Sequence, residues 1–153
     1  FSEIETTAKR ATKGVGFSWG VAEEMGKNIK LLEMFGLPGL KNVNHYFKIY
    51  NKANFENINS ISKLNNPKKI FCPINAGLNF FDQSHALSEF SHLEINHVAF
   101  PLLFIPFLSR ASPKTPPGQI VVNLFFNPLL FDLSGIIHIF FSILSTYSRH
   151  LKN

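Results

Sequence analysis

The chain contains little cysteine, tryptophan or methionine, with one, one and two of these in 153 residues. Its single cysteine, Cys72, excludes a disulfide within the chain. No apolar run reaches the ~20 residues of a membrane-spanning helix, and no basic segment followed by an apolar signal core opens the chain. We therefore expect a cytoplasmic protein without a transmembrane span. Because the chain starts at Phe1 and not at methionine, we also expect a few residues to precede it.

Acidic residues are few, 10 against 15 lysines and arginines, and the formal net charge is +5 at pH 7. Such a charge is typical of nucleic-acid binding when the basic residues form a patch or stripe. Here they are scattered without interleaved aromatic residues, and Glu23 and Glu24 would repel phosphate. We therefore expect no nucleic-acid partner.

The sequence also lacks the short motifs of nucleotide enzymes and serine hydrolases. It has no glycine-rich phosphate loop, no dinucleotide-binding fingerprint and no nucleophile elbow. Both classes of enzyme are therefore disfavoured, and the sequence leaves any cofactor unknown.

The clearest element is a helix that starts after Ser18 and ends at Gly36. Ser18 is a good N-cap residue. The apolar residues that follow lie at helical spacing and predict one buried stripe, formed by Val21, Met25, Ile29 and Leu32. A left-handed glycine commonly ends a helix, and Pro38 suits the first turn of the next one.

A shorter helix is predicted before this one. Ser2 and Glu5 have the spacing of a capping box, and an apolar face continues as far as residues 14–16. The short link predicts an antiparallel or steeply crossed helical hairpin. The small residues Ala22 and Gly26 would let the first helix come close to the second.

A third helix is predicted from Pro38 to about Asn51. We expect Tyr46 outside its buried stripe, which is formed by Leu40, Val43, Phe47 and Tyr50. Between Asn51 and Pro67 the chain is polar and rich in asparagine, which predicts a connection with one irregular helical turn.

The rest of the chain predicts short strands and short helices. The strands lie at 69–73, 92–98 and 119–126. A turn on Gly77 is predicted at 75–81, a brief helix at 83–90 with Ala86 inward, and a buried helix at 98–111. In the last of these, Pro101 fits the first turn and Pro106 would kink the helix. The predicted fold class is α+β, with an N-terminal helical hairpin plus third helix, then a short mixed strand and helix half with an apolar C-terminal helix.

We interpret residues 1–126 as a single α+β domain, with a helical part at 1–53 and a mixed part at 67–126. Residues 127–153 are an apolar tail of uncertain status. Two structures are predicted for this tail, a buried terminal helix or an interfacial helix on a membrane surface.

The segment GFSWGVAEEMGKNIKLLEMFGLPGL, residues 16–40, resembles a family of small bacterial proteins that share a domain of unknown function. Its members carry a Gly-x-x-Trp-Gly-x-Ala-Glu-Glu-x-Gly segment and then a Gly-Leu-Pro-Gly-like turn, and the matching positions are Gly16, Trp19, Gly20, Ala22, Glu23, Glu24, Gly26, Gly36, Leu37, Pro38 and Gly39. The similarity continues weakly to about Val122, and it implies no activity, cofactor or catalytic residue. The chain then departs from the family, and we hypothesise that residues from about Phe126 onward are a frame-shifted or truncated product.

Trp19, Glu23 and Glu24 are candidate ligand-binding residues on the second helix. Adjacent helical residues point about 100° apart, so the two glutamates cannot act as a facing pair. In one interpretation Glu23 forms a surface ion pair with Lys27 beside a half-buried indole. In the other, Glu23 lines a pocket whose apolar wall raises its pKa.

Cys72 and His85 are the candidate ligand-binding residues of the second half. With Asp82, His92, Glu94 and His97 they include every residue type of a zinc or iron site. Their spacing is not a known metal pattern, so we predict no metal site. A Cys72 nucleophile with one of the histidines as base is a weaker alternative.

The favoured interpretation is a small non-catalytic accessory or partner-binding protein that forms a homo-oligomer or docks on another protein. So many large apolar residues are hard to bury in so short a chain. The alternative is a small-molecule-binding protein or enzyme with a pocket between the Trp19 helix and the segment 72–97. A third possibility is peripheral membrane contact through residues 127–153.

Overall fold

The computed structural model describes residues 1–86, 92–111 and 121–125. The chain divides into two compact units, Phe1–Phe55 and Glu56–Asn153, which we call the helical unit and the mixed unit. The described residues contain helices and short strands in small sheets, which confirms the α+β class. The interpretation of residues 1–126 as one domain stays a prediction.

The helical unit consists of three helices, α1 Ser2–Gly14, α2 Trp19–Met34 and α3 Gly39–Ile49, and then a 3₁₀ turn at Lys52–Asn54. Its buried residues lie mainly on the facing sides of the helices and are Ala8, Thr12, Ala22, Met25, Gly26, Asn28, Ile29, Leu32, Gly39, Val43 and Tyr46. The buried stripe predicted for α2 is therefore confirmed, with Val21 half-buried at its start.

α1 and α2 end in the same backbone motif. Gly16 and Gly36 have φ angles of 101° and 72°, and the amide of each donates to a carbonyl three residues earlier, at 3.0 Å in both cases. The next amide donates five residues back, from Phe17 to Thr12 at 3.4 Å and from Leu37 to Leu32 at 2.9 Å. This pair of bonds is a Schellman motif, and it confirms Gly36 as the end of the second helix.

The two helix starts differ from each other. Ser18 caps α2, since its hydroxyl accepts a hydrogen bond from the amide of Val21 at 3.4 Å, as predicted. The capping box predicted for α1 is wrong, because Ser2 is already helical and no side chain caps the helix. The carboxylate of Glu5 instead accepts a hydrogen bond from Lys30 of α2 at 2.8 Å.

α1 and α2 form an antiparallel hairpin with a close backbone contact. Glu5 pairs with Lys30 and Lys9 pairs with Glu23, so residues further along α1 meet residues earlier in α2. A Cβ atom added at Gly26 would lie 2.8 Å from the carbonyl oxygen of Glu5. This contact confirms the predicted role of the small residues on α2.

α3 buries a different stripe from the predicted one. Tyr46, which we expected outside it, is fully buried, whereas Phe47 and Tyr50 are half-buried. The cause is the close approach of Gly39 to α2, where an added Cβ would lie 2.9 Å from Cβ of Leu32. Positions 39, 43 and 46 therefore face inward. The first turn of α3 is held by Glu33, whose carboxylate accepts a hydrogen bond from the amide of Leu40 at 2.7 Å.

The strand β1 Phe55–Glu56 spans the boundary between the two units in the chain. The described part of the mixed unit is organised on the short strands β2 Leu64–Asn65, β3 Ile70–Phe71, β4 His92–Asn96 and β5 Val121–Phe125. β2, β4 and β5 form a parallel sheet with β4 in the middle. The strands predicted at 69–73, 92–98 and 119–126 are confirmed in shortened form. β3 also forms a parallel bridge from Phe71 to Val98, beyond the end of β4.

Two helices, α4 Pro73–Asp82 and α5 Ile105–Ala111, supply part of the core of the mixed unit. That core includes Phe71, Ala76, Phe80, Leu93, Ile95, Phe104 and Leu108. The turn predicted at 75–81 is wrong, because these residues are helical. A Cβ atom at Gly77 would collide with the ring of Phe107, so this glycine serves close helix packing rather than a turn.

Pro106 does not kink a helix, contrary to prediction. A 3₁₀ helix spans Pro101–Leu103, and α5 starts anew at Ile105, so Pro106 lies in its first turn, where no backbone N–H is needed. The helix predicted at 83–90 is also wrong at its start, since residues 83–85 form a turn and Ala86 is exposed. Residues 87–90 and 127–153 lie outside the described residues.

Within the described ranges, no helix combines the length and apolar character that crossing a membrane requires. The prediction of membrane contact through residues 127–153 concerns a segment outside those ranges.

The contact at Gly26 gives the first prediction. Gly26→Ala destabilises the helical unit by about 1–3 kcal/mol, because the added methyl group forces α1 and α2 apart. The matched control is Gly20→Ala on the same helix, where an added Cβ has nothing within 4 Å. This control gains up to ~1 kcal/mol from the higher helix propensity of alanine. Urea unfolding followed by the fluorescence of Trp19 measures both changes, and equal effects of the two substitutions would contradict the assigned contact.

Candidate functional site

Trp19 is the first residue of α2 and lies on the surface, with 56% of the residue exposed. Two ammonium groups of α1 face its ring, Lys13 Nζ at 5.5 Å and Lys9 Nζ at 5.8 Å from the ring centroid. Both distances are within the range of cation–π attraction. The sequence predicted a half-buried indole. The indole is instead exposed and bordered by cations.

Glu23 lies one turn after Trp19 and forms an ion pair with Lys9, Nζ to Oε1 at 2.8 Å. The predicted partner, Lys27, instead pairs with Glu24 at 2.8 Å. Lys9 thus contacts both Glu23 and the ring of Trp19. The two glutamates pair with different lysines, as their different directions on the helix require.

The electrostatics of Glu23 are those of a surface carboxylate. The hydrogen bond from Lys9, with the charge of the same lysine, lowers the pKa of Glu23 below its ordinary value. The pocket hypothesis expected an apolar wall to raise that pKa, and this expectation is wrong. Glu5 behaves in the same way, since its hydrogen bond with Lys30 lowers its pKa.

Cys72 of the mixed unit is buried, with 1% of the residue exposed. It is the N-cap residue of α4, and its Sγ accepts a hydrogen bond from the amide of Asn75 at 3.5 Å. Pro73 follows at the first helical position, which suits a residue without a backbone N–H. The thiol thus has a structural role at the start of α4.

His85 is exposed in the turn that follows α4, and His97 and Asp82 are exposed as well. Among the described residues, no three histidine, cysteine, aspartate or glutamate side chains lie close enough to hold a metal ion. The side chain of His92 is outside that description. The structure therefore joins Trp19 and Glu23 through Lys9, and it places Cys72 and His85 in the other unit.

Lys9 and Lys13 both contact the ring of Trp19. Neither was predicted from the sequence as a site residue. Their spacing of four residues on α1 indicates that they share one helix face. The antiparallel register of the hairpin decides which residues of α2 this face contacts. The sequence pattern of α1 alone does not give that register.

Comparison with known proteins finds a family model that matches the first part of the chain. Residues 1–72 match the model of the family described as Protein of unknown function (DUF3726). The predicted resemblance to a family with a domain of unknown function is thereby confirmed over these residues, which include the helical unit. The continuation of the similarity to Val122 stays a prediction. No curated protein and no solved structure was found to match this chain.

The ion pairs between α1 and α2 give a prediction on pH. Lys9→Met raises the pKa of Glu23 toward its ordinary value, and Lys30→Met does the same for Glu5, because each loses its hydrogen-bond donor. A pKa that is lower in the folded state stabilises the fold above the unfolded pKa, about 4.3. This stabilisation is lost as the pH falls through the lower, folded values. NMR titration of the glutamate carboxyl groups measures the change, with Lys41→Met on α3 as the control; unchanged values in the first two variants would contradict the assignment.

The burial of Cys72 gives a prediction on thiol chemistry. In the folded protein the thiol reacts with an aromatic disulfide reagent at least ~100-fold more slowly than in urea, since the thiolate must be accessible to react. Absorbance of the released chromophore measures both rates. A native rate close to the rate in urea would contradict the structural role and favour a Cys72 nucleophile.

Proposed function

We propose that this protein is a non-catalytic accessory protein of the bacterial cytoplasm that binds a protein partner through its helical unit. The observation that carries the proposal is the exposure of Trp19, the only tryptophan of the chain, with 56% of the residue accessible. Tryptophan is enriched among the residues that dominate binding energy at protein interfaces. An exposed indole held beside two lysines is pre-ordered for such a contact.

Other large apolar side chains of the helical unit support a binding role. Phe1, Met34 and Ile49 are 63%, 46% and 59% exposed. A single exposed apolar residue is ordinary in a folded protein. With Trp19 they make four exposed large apolar side chains among the described residues of the helical unit, and each gains free energy when a partner covers it.

The ionisation of Glu23 also favours binding over catalysis. A general acid at neutral pH needs a raised pKa, whereas the pKa of Glu23 is lowered by Lys9. The alternative of an enzyme or small-molecule-binding protein that uses Trp19, Glu23, Glu24, Cys72 or His85 predicts a bound metabolite or metal in the purified protein. Partner binding predicts bound protein instead.

Native mass spectrometry of the full-length protein, isolated from its source under mild conditions, tests the proposal. We expect an added mass of protein size, either a second copy or another chain. Trp19→Ala loses this mass, whereas Leu64→Ala, which removes a similarly exposed apolar side chain from β2 of the mixed unit, keeps it. A stoichiometric metal or metabolite without bound protein, a bare monomer, or equal binding by both variants would each contradict the proposal.

A further inference from the structure

The end of α1 next to Trp19 carries two cations for which the described residues supply no ion-pair partner. Lys13 contacts the indole ring, and Arg10, one turn earlier, is exposed. Within the part of the chain that the structure describes, neither has a carboxylate within ion-pair distance. Lys9 differs from both, because Glu23 neutralises it at 2.8 Å. We call Arg10, Lys13 and Trp19 the basic-aromatic patch.

The patch combines two kinds of attraction on one surface. The exposed Arg10 and the half-buried Lys13 attract carboxylates, and the indole offers a large rigid apolar face at low entropic cost. A cation near the C-terminus of a helix is also favourable for the helix dipole. That effect accounts for Lys13, which lies in the last turn of α1, but it does not explain Arg10 or the exposed tryptophan.

We propose that the basic-aromatic patch binds an acidic segment of a partner protein, with carboxylates on Arg10 and Lys13 and an apolar side chain on Trp19. This inference rests on the proposed function and names the chemistry of the partner. The charge of the patch argues against a second copy of the same surface, since two such patches repel each other. A peptide can place an uncharged residue beside the Glu23 carboxylate, whereas the regularly spaced phosphates of a nucleic acid would meet that carboxylate.

Trp19 allows a direct test, because the fluorescence of the only tryptophan reports on this patch alone. The probe is a ten-residue peptide of alternating glutamate and leucine, blocked at both ends and added to the full-length protein. We expect a saturable change in fluorescence that weakens with added salt, since salt screens exposed charges. The same peptide with glutamine in place of glutamate binds at least ~10-fold more weakly. Equal binding of the two peptides, or tighter binding of single-stranded DNA of equal charge, overturns the proposal.

Charge reversal locates the binding on the protein. Arg10→Glu/Lys13→Glu weakens binding of the acidic peptide by ~10-fold or more, because two exposed attractions, each worth up to ~5-fold, become repulsions. Lys41→Glu/Lys48→Glu, the matched control, makes the same change of net charge at exposed positions of α3 and changes the affinity by less than ~3-fold. Equal weakening by the two double variants overturns the proposal. Arg10→Gln/Lys13→Gln, which removes charge without adding repulsion, gives an intermediate loss and serves if charge reversal disturbs the fold.

The same variants separate this inference from the proposed function. Suppose that a partner isolated with the wild-type protein is lost from Trp19→Ala and kept by Arg10→Glu/Lys13→Glu. The proposed function then stands, and the acidic character of the partner is wrong. If Trp19→Ala keeps the partner, the proposed function itself fails. Loss of the partner from both variants, with retention in Lys41→Glu/Lys48→Glu, supports both.

Discussion

The helical unit depends on the contact between the backbones of α1 and α2 at Gly26. Without a side chain at this position, the carbonyl oxygen of Glu5 comes so close that an added Cβ would lie only 2.8 Å from it. Helices packed this closely bring side chains on the outer edges of the contact within reach of each other. The ion pairs of Glu5 with Lys30 and of Lys9 with Glu23 are consequences of that distance, and so is the position of Lys13 over the indole.

These contacts also decide which charges are available at the surface. Lys9 is used twice, in the ion pair with Glu23 and in the contact with the Trp19 ring. The carboxylate is therefore occupied, and its lowered pKa keeps it ionised. Lys13 contacts the Trp19 ring but pairs with no carboxylate among the described side chains. This end of the hairpin therefore carries more positive charge than negative charge. The proposed preference for an acidic partner rests on this imbalance.

The features that depend on neighbours in the chain were predictable from the sequence, such as the Ser18 cap, the stop at Gly36 and the spacing of the α2 stripe. The features that a distant residue decides were not. The sequence predicts a turn at Gly77, but this glycine lies in a helix where Phe107 packs against it. Tyr46 is buried because Gly39 packs closely against Leu32. At the candidate site, Trp19 and Glu23 were found, but their lysine partners belong to α1, and only the hairpin register brings them together.

The two Schellman motifs close α1 and α2 with hydrogen bonds from within a few residues of each turn. Each helix end can therefore form as soon as its own residues are available. The parallel sheet differs, because β4 must find β2 before it and β5 after it across long intervening segments. Since local contacts form faster than distant ones and synthesis proceeds from the N-terminus, the order of the contacts along the chain favours early folding of the helical unit. The proposed binding surface would then be complete on the ribosome before β5 has been synthesised.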